Sequence, residues 1–162
     1  MQFIAAWIER VNRELRDALN ERWPKPMGSQ VDPARSIHYE ALRSGIDPNL
    51  VAALVMRFAK HGTSEAKAGS TALLPVNPEV IRTIKSEIAS RAEALCVDTH
   101  AFRWNLRAAL TVLRGHLDAS AGDMQAALLG YAQRDIGLPY DVAQAFPDEI
   151  LALWRRFEAL VP

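Results

Sequence analysis

The chain has a single cysteine, Cys96, which excludes an internal disulfide framework and a metal knot built from cysteines. It has no excess charge of either sign: 19 Lys and Arg balance 19 Asp and Glu. A nucleic-acid binder carries a basic excess or stripe, so no nucleic-acid partner is expected here. No apolar run approaches the ~20 residues of a membrane-crossing helix, so no membrane span is expected. Period-two alternation long enough to demand a strand is also missing. His38, His61, His100 and His116 are scattered without metal-ligand spacing, so the expectation is no metal and no cofactor. The segment from Met1 to Arg10 lacks the positive start and sustained apolar run of a signal peptide. Synthesis in the cytoplasm, without a leader, is the expectation.

What is present is the punctuation of an all-α protein. Asp32-Pro33, Asp47-Pro48 and Asn77-Pro78 each pair a side chain that accepts from free amides with a proline. Proline's missing N–H costs nothing at the first helical position. Asp98 and Asp123 are further N-cap candidates, and Phe146-Pro147-Asp148 reads as the opening of the last helix. Apolar residues recur at helical spacing: Phe3, Trp7, Val11, Leu15 and Leu19; Leu50, Leu54 and Phe58; Val80, Ile81, Ile84 and Ile88; Phe102, Leu106, Leu110 and Leu113; Ile150, Trp154 and Phe157. Ser70 to Val76 is the one segment expected to be extended. A chain of 162 residues supports one proper core. The expected organisation is an N-terminal helix over residues 1–22, a proline-rich linker over 23–35, and a helical domain over 36–162. That first helix packs on the domain or docks on a partner, with Trp7 a candidate anchor. Trp104 and Trp154 are expected in the core.

Four ordered segments resemble the lytic transglycosylase (goose-type lysozyme-like) domain. Gly45-Ile46-Asp47-Pro48 and the apolar helix after it are similar to the family helix that ends in a catalytic Glu-Ser pair. Counting from Asp47-Pro48 puts Phe58 and Ala59 on that pair. Ala68-Gly69-Ser70-Thr71-Ala72-Leu73-Leu74-Pro75 resembles the cleft-lining segment, with Ala72 in place of its second glycine and Pro75 in place of its glutamine. The helix from Phe102 to Leu110, continued by Leu113 and Leu117, looks like the family's core helix. Ala126 to Arg134 is similar to the family's Ala-Tyr-Asn-Ala-Gly run; Tyr131 is kept, while Ala132 replaces the asparagine. The resemblance covers roughly residues 36–160 and implies a lysozyme-like fold with an extra N-terminal helix. The implied glycan-cleft positions are Phe58, Ala59, Ala72, Pro75, Tyr131 and Ala132.

The family's chemistry, as the resemblance implies it, turns on one carboxyl group. It protonates the glycosidic oxygen between MurNAc and GlcNAc, then takes a proton from the sugar's 6-hydroxyl as the anhydro ring closes. Phenylalanine can do neither, and loss of a positioned acid/base costs ~10²–10⁴ in rate. The expectation is a catalytically degenerate domain, kept as a peptidoglycan-binding or structural module of a phage or secretion apparatus. Delivery by such an apparatus would place its site of action at the periplasm or cell wall. Glycan strands, and a protein held through the first helix, are the expected partners. A glycan-binding form should keep an open polar cleft around Tyr131, whereas a scaffold should have it filled by Phe58 and Pro75. Two alternatives stand beside this. One is an active enzyme using a displaced acid, for which Glu65 is the candidate, although a solvated loop is the favoured reading of that residue. The other is a protein-interaction module without glycan binding. Glu40, Asp135, Asp141 and Glu149 read as helix-end or solvent charges, and a lone histidine such as His116 as a cap or surface group.

Overall fold

The computed structural model describes residues 2–22, 32–61, 73–88 and 102–160. Cys96, Asp98, His100, Glu65 and Ala72, singled out above, lie outside them. Local chemistry starts the helices where proline and an acceptor meet. The Asp32 carboxylate accepts from the Arg35 amide at 3.0 Å and opens α1's neighbour, α2 (Pro33–Ser44), while α1 itself spans Gln2–Arg22. Asp47 accepts from the Asn49 amide at 2.7 Å and opens α3 (Pro48–His61). Asn77 does the same for Glu79 at 2.9 Å, opening α4 (Pro78–Ile88). Asp123 caps α6 (Met124–Gly130) through the Ala126 amide, following α5 (Phe102–Ala119). Each acceptor satisfies an amide that the helix itself leaves free.

Gly45 ends α2 at φ 63, and its amide and that of Ile46 return to Leu42 and Ala41. Only glycine takes that left-handed position without strain, and the closing bonds satisfy carbonyls the helix leaves open. α6 widens into a π-helical turn, Tyr131–Ile136, before α7 (Tyr140–Glu158). All described elements are helical, and no strand occurs among the described residues, so the protein is all-α. Residues 73–77, where an extended piece is expected, form no ladder.

α3 is the centre. Every residue from Leu50 to Ala59 is buried, which is the signature of a helix enclosed on all sides rather than one stripe deep. α7 packs against it most heavily, and α1 and α2 complete the enclosure. The α1 stripe is buried at Trp7, Val11, Leu15 and Leu19 and joins the same core as α3 and α7. α1 is therefore part of the core in cis, and Trp7 anchors it internally, donating from its indole to Asn49 at 2.7 Å. Phe3, one turn earlier on the stripe, remains exposed.

Two boundaries differ from the sequence expectation. α2 starts at Pro33, as the Asp32-Pro33 pair predicts, so the linker expected over 23–35 ends before it. α7 starts at Tyr140, with Pro147 inside the helix rather than at its opening. An interior proline costs a helix one hydrogen bond, which argues locally for a break. Burial of Ala143, Phe146, Pro147 and Ile150 in the core outweighs that preference.

Candidate functional site

Phe58 and Ala59 sit in the last turns of α3, and both are fully buried. The Phe58 ring packs on Phe146 of α7, centroids 6.0 Å apart and tilted by 48°. The guanidinium carbon of Arg57 lies 5.3 Å from the Phe58 centroid and 5.4 Å from that of Phe146. Its Nε reaches Glu149 Oε2 at 3.4 Å. Where the resemblance places a proton donor, the chain thus holds an aromatic pair with a cation against it. Glu149 is not a free solvent charge, because it closes this group from α7.

Pro75 is buried as well. The residue before it explains how: Leu74 receives a hydrogen bond from the Asn105 amide at 2.8 Å on its carbonyl and donates its own N–H to Asn105 Oδ1 at 2.9 Å. One buried asparagine of α5 thereby satisfies both polar groups of a non-helical residue and fastens residues 73–77 to the core.

Tyr131 and Ala132 open the π-helical turn, and both are buried. Tyr131 does not stand at a rim. Its hydroxyl is enclosed and finds no hydrogen-bond partner among the described residues. Burial first, and the nearby Asp135 charge second, push its pKa well above the ordinary 10, so the phenol stays protonated. His116 of α5 meets Tyr131 edge-on, centroids 6.5 Å apart, and its Nε2 lies 2.5 Å from Asp135 Oδ2. Gly130 makes that approach feasible, since a Cβ there would stand 2.8 Å from His116 Nδ1. His116 and Asp135 are therefore a pair joining α5 to the π-helical turn, not separate surface groups.

The largest departure from the sequence reading is Glu40, which is fully buried rather than solvated. Arg107 of α5 holds it with two parallel bonds, Nε to Oε2 and Nη2 to Oε1, both 3.1 Å. Arg103 Nε adds a third at 2.7 Å, and Arg43 Nε stands 3.6 Å away. The outer faces of two of these cations lie on aromatic rings: Arg103 on Tyr39 at 4.4 Å and Arg107 on Trp104 at 4.3 Å. Trp104 and Trp154 are half-buried beside the core, and Asp141 stays exposed in the first turn of α7.

The expected cleft positions are thus enclosed wherever they are described: Phe58, Ala59, Pro75, Tyr131 and Ala132. The groups that sequence reasoning missed are Glu40, Arg57, Asn105, His116 and Asp135. Arg103 and Arg107, one helical turn apart, were a visible hint of a shared acidic partner; nothing local pointed to Glu40, 63 and 67 residues away. Among the described residues no group of three His, Cys, Asp or Glu side chains is placed to hold a metal ion. No described helix is long and apolar enough to cross a membrane. No family model matches the chain, and no curated protein or solved structure is significantly similar to it.

Proposed function

We propose that this chain is a non-catalytic, lytic transglycosylase-like structural module, in which the cleft of the family has become core. The ordered motifs from Gly45 to Arg134 carry the family part of the reading. The observation that carries the rest is Phe58: the position that corresponds to the general acid is a buried ring against Phe146, with Arg57 beside it. A general acid must come within hydrogen-bond reach of its substrate, and no group at this position has a proton to offer. Pro75 and Ala132 replace the two polar side chains that would orient a sugar, and both are buried as well. This favours a scaffold over a glycan-binding module.

The test is incubation with purified peptidoglycan, followed by mass analysis of the soluble fragments and a sedimentation assay for retention. Neither fragments nor retention are expected. Anhydro-sugar fragments that vanish in Glu65→Gln would replace this reading with a live enzyme using a displaced acid. Retention without cleavage would restore the glycan-binding module.

A further inference from the structure

Among the described residues five large apolar side chains are exposed: Phe3, Ile4, Tyr39, Leu42 and Tyr140. Three of them, Ile4, Tyr39 and Leu42, lie together on the outer face of α1 and α2. There a groove of about 1030 Å³ runs between the two helices, floored by Ile4, Ala5, Ile8, Tyr39 and Leu42. The groove is apolar along its floor and carries charged side chains at its edges.

The charges at its edges say what docks. Glu9 belongs to the α1 wall, and Arg35 and Arg43 to the α2 wall. The helices run antiparallel: Asn12 bonds to Asp32 and to the Ala34 amide at one end, and Trp7 meets His38 further along. By that register Glu9 stands level with the Arg35–Ser36 turn, Ile8 and Ala5 with His38 and Tyr39, and Phe3 and Ile4 with Leu42. A twofold axis laid along the groove places each α1 over the partner's α2 without changing these levels. Glu9 then meets the partner's Arg35, and apolar meets apolar, twice over, while Arg43 stands beyond Leu42 and stays against Glu40 of its own chain. From this complementarity we propose that the α1–α2 face is a twofold interface between two copies of this chain.

The present partners of these charges do not oppose the arrangement. Glu9 pairs with Arg13, and Arg35 with Asp32, in exposed contacts within one helix or its cap. Such pairs are weak and exchangeable. The shorter helix, with 12 residues, limits the contact to a length of about 18 Å. The dimer should therefore dissociate on dilution.

The experiment is sedimentation velocity of the full chain over a wide concentration range. A monomer–dimer equilibrium is expected. Leu42 is 61% exposed, so Leu42→Glu should leave helicity and thermal stability unchanged. It should weaken the dimer by at least about tenfold, as a charge set into an apolar contact does. Glu9→Arg and Arg35→Glu should each weaken it, and the double variant should recover it. A monomer at every concentration overturns the proposal, whatever else the groove then captures. A dimer indifferent to Leu42→Glu, or charge reversals without recovery in the double variant, overturns it too. None of these outcomes depends on whether the protein acts on peptidoglycan.

Discussion

Two buried arginine sites in this protein solve the same problem in opposite ways. Between α2 and α5, an acid is buried and the bases surround it. Glu40 accepts from Arg103 and Arg107, with Arg43 close by, while aromatic rings cover the outer faces of two of those cations. Between α3 and α7, the base is buried and the acid is outside. Arg57 lies against Phe58 and Phe146, and the carboxylate it meets, on Glu149, is half-exposed at 3.4 Å. The first site is held by three charge-assisted bonds, two of them in a fixed fork. The second sets its cation against ring faces, which attract it without fixing its direction. The difference teaches that the Glu40 site specifies how two helices meet, while the Arg57 site lays a cation against two packed aromatic rings.

The most severe test of that contrast is Glu40→Gln. The amide keeps the volume and removes the charge, so that Arg107 stays buried beside Arg103 and Arg43 without the Glu40 carboxylate. Breaking a buried pair from one side costs about 3–5 kcal/mol, so denaturant unfolding should show a loss of that size. Replacing Glu40 and Arg107 together with methionine should recover much of it, because the pair's desolvation cost disappears as well. A loss under about 1 kcal/mol for Glu40→Gln would mean that packing, not charge saturation, joins α2 to α5.

The matching change at the other site is Glu149→Gln, and its effect should be far smaller. Glu149 is 45% exposed and its contact is long, so the pair is screened by water. A loss of about 1 kcal/mol or less is expected in the same unfolding assay. A loss as large as that of Glu40→Gln would erase the distinction and make Arg57 dependent on its carboxylate rather than on the rings.

The contrast also shows what could be read from the chain and what could not. Helix starts at Asp32, Asp47, Asn77 and Asp123 were legible because capping is local: donor and acceptor lie within three residues. The buried stripes of α1, α3 and α5 were legible because helical periodicity is local too. Glu40 with Arg107, Arg57 with Glu149, and His116 with Asp135 were not, since each joins different elements across 67, 92 and 19 residues. The interior Pro147 misled for the same reason: its local preference gave way to the burial of Phe146 and Ile150 against the core. The enclosure of Phe58 lay between these cases. Its place on the Leu50–Leu54 stripe already suggested core filling, but only Phe146 and Arg57 show what fills the remaining space.

Tyr131 supplies the last and smallest test, because it is a buried polar group that uses neither solution. It has no counter-ion, and its hydroxyl has no hydrogen-bond partner among the described residues. An enclosed donor without a partner forfeits its hydration for nothing, so Tyr131→Phe should raise stability slightly at neutral pH, by about 1 kcal/mol at most. The pH dependence sharpens this. Burial and the Asp135 charge raise the folded-state pKa above the ordinary 10 of the unfolded chain. The unfolded state therefore releases this proton first as pH rises. The stability tied to the protonated phenol is complete below about pH 10 and is lost progressively above it, toward the raised folded value. In Tyr131→Phe that alkaline loss should shrink, so the variant's advantage should grow above pH 10 in thermal melts. If the two proteins lose stability in parallel there, the hydroxyl has found water or a partner, and Tyr131 belongs with the satisfied groups after all.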